Sequence, residues 1–130
     1  NKIYIKYLTW IVEYAKINQK NILISHQPWL FSSEKKLHKD ELLFKHYMEK
    51  KYSSKELVTH MIKEYKKQVL SSEKLAKKYK IPFIDGSDPL NKLKEDTNIF
   101  YDQIHLTGDG NRLIAEVIFS NIRGWLKGKN

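Results

Sequence analysis

A chain of 130 residues that is 41% hydrophobic, with three Trp, eight Tyr and five Phe, has the size of one domain and enough apolar material for a core, which excludes a disordered tail. Its net charge of +9 comes almost wholly from lysine, since Arg112 and Arg123 are the only arginines. Lysine spread in this way reads as solvated helix faces, and nucleic acid, best gripped by the arginine fork, is not the expected partner. There is no cysteine, which excludes disulfides and thiolate chemistry, and no apolar run approaches the roughly 20 residues that span a bilayer.

In chain order, Ile3, Tyr4, Tyr7, Leu8, Ile11, Val12 and Ala15 recur at helical spacing and predict a helix over Ile3 to Ile17. Ile22-Leu23-Ile24 reads as a short strand buried on both faces of a parallel sheet, ended by Pro28. The stretch 27–52 is expected to be a helical insertion packed on the core or a flap over a substrate, with a helix drawn over Glu34 to Lys51. Ser53, with Glu56 three residues on and Tyr52 and Leu57 at the staple positions, predicts the start of a long helix reaching Lys80. Ile81 to Asp85 reads as a second strand, and Asp88-Pro89 as the cap and first residue of a short helix to Lys94. Thr107 is the expected N-cap of a terminal helix through Leu126, whose stripe is Leu113, Ile114, Val117, Ile118, Ile122, Trp125 and Leu126.

Strands separated by helices imply parallel pairing in an α/β layer. Two strands are too few for a sheet covered on both faces, where roughly five are usual, so this chain is expected to be part of a larger layer. Residue 1 is Asn, and the remaining strands are expected from preceding residues or from another chain.

The chemistry concentrates at Asp102-Gln103-Ile104-His105-Leu106-Thr107-Gly108-Asp109-Gly110. A carboxylate one turn ahead of an imidazole can accept a hydrogen bond from Nδ1 and fix the tautomer, leaving Nε2 as a general base. The surface alternative, two polar residues beside a helix cap, is common for so short a pattern. His38, Asp40, Glu41 and His46, and the pair His60 and Glu64, do not share the spacing of a metal site and read as surface residues, so neither metal nor cofactor is expected. His26, directly after the first strand, is a candidate substrate contact.

Asp102-x-x-His105 followed by Leu106-Thr107-x-x-Gly110 resembles the last sequence block of the SGNH (GDSL-type) hydrolases, and Ile81 to Asp85 and Ile22 to Pro28 resemble the strands before it. The resemblance implies a three-layer α/β/α, flavodoxin-like domain with a parallel sheet, of which residues 1–130 are the C-terminal half. It implies a Ser-His-Asp ester hydrolase with His105 as base and Asp102 as its orienter, acting on an ester-bearing small molecule or glycan. The family's Gly-Asp-Ser block, its oxyanion glycine and its Gly-x-Asn-Asp asparagine have no counterpart here. Asp85-Gly86-Ser87 has the wrong order and position, so this chain alone is expected to be inactive, with the missing N-terminal half as its partner. The alternative is a non-catalytic binding module whose basic surface grips an acidic polymer or nucleic acid.

Overall fold

The computed structural model describes residues 2–31, 34–51, 55–93 and 97–127. They form a mixed α/β arrangement, mostly helical, around one two-stranded parallel sheet. The elements are α1 (Lys2–Ile17), β1 (Ile24–His26), α2 (Lys39–Lys51), α3 (Lys55–Tyr79), β2 (Phe83–Asp85), α4 (Ser87–Leu90) and α5 (Gly108–Lys127).

β1 and β2 pair in parallel, with Ile24 beside Phe83 and His26 beside Asp85. Backbone bonds extend the ladder at both ends, from Ile24 N to Pro82 O at 3.1 Å and from Gly86 N to His26 O at 3.0 Å. The second bond needs a glycine, because a Cβ on residue 86 would stand 2.6 Å from His26 O and 2.6 Å from Pro28 Cδ.

Two apolar clusters hold the elements together. Val12, Ile24, Leu75 and Ala76 join α1, β1 and α3. Trp29, Leu30, Phe31, Met48, Val58, Leu90, Ile99 and Phe100 join the stretch after β1, α2, α3, α4 and the segment ahead of α5. The excursion between β1 and α3 thus supplies a large share of the second core.

The boundaries differ from expectation for local reasons. β1 lies two residues later than the apolar run, because His26 finds polar partners in the interior while Ser25 is exposed; the strand is therefore not covered on both faces. β2 begins at Phe83 rather than Ile81 because Ile81 belongs to the end of α3. There Lys80 adopts φ 52° and donates to Lys77 O, and Ile81 N donates to Ala76 O, the paired bonds of a Schellman ending. Gln19 ends α1 in the same manner, with φ 53°.

α2 starts at Lys39 rather than Glu34, since His38 is its cap. Glu41 Oε2 accepts from His38 N at 2.8 Å, which is half of a capping box, and Leu42 N closes the first turn on His38 O. α4 begins at Ser87, so Asp88 and Pro89 lie inside it rather than capping it. The expected cap at Ser53 and the end at Lys94 fall outside the described residues.

α1 buries Val12 and Ala15 but leaves Ile3, Tyr7, Trp10, Ile11, Tyr14 and Ile17 exposed, a second apolar face that the described residues do not cover. On α5, Phe119 and Leu126 are exposed and the rest of the stripe is only half-buried. Among the described residues no helix is long and apolar enough to cross a membrane.

Candidate active site

The segment between α4 and α5 folds back on itself before the last helix begins. Phe100 and Leu106 form an isolated antiparallel bridge, Tyr101 N donates to His105 O at 2.8 Å, and Thr107 N donates to Ile99 O at 2.8 Å. Residues 101–105 are the tight turn that this closes.

Asp102 organises the turn with one oxygen and the imidazole with the other. Oδ1 accepts from Ile104 N at 2.8 Å and from His105 N at 2.9 Å, an Asx-type turn, while Oδ2 meets His105 Nδ1 at 2.6 Å. Burial pushes the Asp102 carboxyl upward, but the hydrogen bonds from the His105 ring and from the backbone of His105 and Ile104 outweigh it and hold the group below its ordinary range. An ionised carboxylate only accepts, so Nδ1 carries the hydrogen, and in the neutral ring Nε2 holds the lone pair. The His105 side chain is 70% exposed and that of Asp102 37%. Among the described residues no group bonds to Nε2.

The turn is fastened on three sides. On the C-terminal side Thr107 caps α5: its Oγ1 accepts from Gly110 N at 3.3 Å and donates to Asn98 O at 3.0 Å. Gly110 has to be small, because a Cβ there would stand 2.7 Å from Ile99 O. From the sheet, Gln27 Nε2 donates to Ile104 O at 2.5 Å and Leu30 N to Gln103 O at 2.9 Å, so the loop leaving β1 is tied to the Asp102–His105 turn. Tyr65 of α3 in turn donates to Gln27 O at 2.7 Å.

The third fastening is a buried carboxylate. Glu41 Oε1 accepts from Ile99 N at 2.8 Å and Phe100 N at 3.0 Å, and Oε2 binds Lys35 Nζ at 2.5 Å. Lys35 Nζ also donates to Thr97 O at 3.2 Å, and both side chains are fully buried. Burial pushes the Glu41 carboxyl upward, but Lys35 and the backbone donors of Ile99, His38 and Phe100 hold it below its usual range. Glu41 is therefore not the surface residue that its neighbours in sequence suggest. The spacing His38-x-x-Glu41 was the one signal that could have marked it, as a cap and its returning glutamate.

His26, the candidate substrate contact, is turned inward. Its Nε2 lies 2.9 Å from Ser72 Oγ and 3.4 Å from Tyr4 Oη, and Tyr65 and Phe83 pack on the ring. Burial lowers its pKa below 6.5 against the opposing charge of Asp85. The neutral ring is thus the folded form, and an unfolded chain binds the proton more readily. Stability from this site is complete above pH 6.5 and is lost as pH falls from there through the lowered folded value. Urea midpoints should fall between pH 7.5 and 5, and His26→Gln, which does not titrate, should flatten that part of the profile. A decline of equal size in His26→Gln would assign it to other groups.

Ser87 is buried at the start of α4, where its N–H bonds Asp85 Oδ1 at 2.9 Å. Glu64 holds Lys67 at 2.5 Å, His38 caps α2, and among the described residues no three acidic or histidine side chains could share a metal ion. No protein-family model matches this chain, and no curated protein matches its sequence.

Proposed function

We propose that residues 1–130 are the C-terminal part of a serine ester hydrolase of SGNH type, a three-layer α/β/α domain, in which His105 is the general base and Asp102 its orienter. The observation that carries this reading is the 2.6 Å contact from Nδ1 to an ionised carboxylate, which leaves an exposed Nε2 lone pair on a turn held by three separate fastenings. In the reaction Nε2 takes the proton of a serine hydroxyl as the oxygen attacks the ester carbonyl. It then returns that proton to the leaving alcohol. A water attacks the resulting acyl-serine with the same proton transfers, to release the acid and restore the hydroxyl, and Asp102 stabilises the imidazolium each time it forms.

The serine and the oxyanion donors come from outside these residues. A two-stranded sheet and the exposed apolar face of α1, with Ile3, Tyr7, Trp10 and Tyr14, support a partner half that continues the layer. The substrate is an ester-bearing small molecule or glycan.

A fluorophosphonate probe tests the division of labour. The assembled hydrolase is expected to be labelled on a serine outside residues 1–130, and this chain alone is expected to stay unlabelled at Ser87 and every other serine. Labelling within the chain would overturn the assignment.

A further inference from the structure

Parallel sheets bind ligands beyond the carboxyl ends of their strands, and the structure has a cleft of about 460 Å³, open to solvent, at that end of β1. Its walls come from three elements: Pro28 and Trp29 follow β1, Met61 and Tyr65 belong to α3, and Ile104 belongs to the Asp102–His105 turn. The volume lies within the roughly 300–1,000 Å³ of small-molecule sites. Trp29 and Tyr65 pack against each other at 5.8 Å between ring centroids, and the bond from Tyr65 Oη to Gln27 O fixes the floor. The bond from Gln27 to Ile104 O fastens the same wall to the residue next to His105.

The chemistry of the lining selects the occupant. Among the described residues of the lining the one ionised group, Glu64, is engaged by Lys67, and Gln27 and Gln68 are neutral, so these residues offer no cation for a carboxylate or phosphate. The apolar wall suits an uncharged hydrocarbon chain. An acetyl methyl, about the size of one water at roughly 30 Å³, would leave most of the space unfilled. We infer that this cavity binds the acyl chain of the ester, and that the substrate class is a medium-chain acyl ester rather than an acetyl ester. The inference rests on the hydrolase reading for the word acyl, and on the cavity alone for the binding of an apolar chain.

Binding needs no nucleophile, so this chain can be tested directly. With the methyl groups of Met61 and Ile104 isotopically labelled, the folded chain is titrated with methyl hexanoate, methyl butanoate and methyl acetate and followed by NMR. Methyl hexanoate is expected to shift both residues saturably, with affinity rising roughly fourfold for each added methylene. Methyl acetate is expected to give no saturable shift. Ile104→Asp, at an exposed position, is expected to abolish the Met61 response while the remaining spectrum shows an intact fold. Absence of saturable shifts, equal affinity for acetate and hexanoate, or an unchanged Met61 response in Ile104→Asp would each overturn the inference. The two readings fail separately: chain-length-dependent binding beside a dispensable His105 would sink the hydrolase assignment and leave the cavity, and the reverse pattern would sink only the cavity.

Discussion

Asp102→Asn is expected to lower ester turnover by the assembled hydrolase by roughly 10²–10⁴-fold, with little change in KM. The asparagine is nearly isosteric and can still accept from the backbone N–H groups of Ile104 and His105, so the turn persists. What changes is the partner of Nδ1. A carboxylate presents only acceptors, whereas an amide can present its NH₂ to the ring and favour the tautomer with hydrogen on Nε2. The base then has no lone pair toward the serine, and the imidazolium loses its counter-charge. The effect falls on kcat because the interaction strengthens only as the ring gains its proton. Equal turnover in Asp102→Asn would reduce Asp102 to a turn-former.

The second large effect concerns stability. Glu41→Ala is expected to destabilise the fold by about 3–5 kcal/mol, because it removes the buried carboxylate that binds Lys35 Nζ at 2.5 Å. It also strips the backbone N–H groups of Ile99, Phe100 and His38 of the side-chain carboxylate that accepts from them, each orphaned N–H adding to the penalty. Lys35→Met should cost less, since the carboxylate keeps its three backbone donors. Urea denaturation at pH 7 followed by tryptophan fluorescence measures both. A loss of less than about 1 kcal/mol in Glu41→Ala would show the network to be dispensable. The folded Glu41 binds its proton less readily than the unfolded chain, so its contribution is present above pH 4.5 and disappears as pH falls through the lowered folded value.

The parts legible in the sequence were those with local causes. The Thr107 cap, the Asp102–His105 contact and the apolar spacing of α1 and α3 depend on residues within a turn or two of one another, where side-chain type and spacing carry the information. The parallel strand pair followed from the alternation of element types.

What could not be read had distant causes. Glu41 sits in a lysine-rich helix with no charge pattern to distinguish it, and its backbone donors lie 58 and 59 residues away. His26 faces the interior, where Ser72, a partner 46 residues on, meets its ring. The late start of β2 follows from how α3 ends, with a lysine in the left-handed conformation where glycine is the usual signal. The cavity beside Ile104 depends on three elements converging, which no single stretch encodes.

Whether His105 is the base is decided by p-nitrophenyl hexanoate turnover in the assembled hydrolase with and without His105→Ala. His105 is an exposed side chain, and the backbone bonds of its turn survive the substitution, so a loss of activity cannot be put down to unfolding. Turnover is expected to fall by at least roughly 10³-fold with KM largely unchanged. Turnover equal to that of the unsubstituted protein would contradict the assignment of His105 as the base.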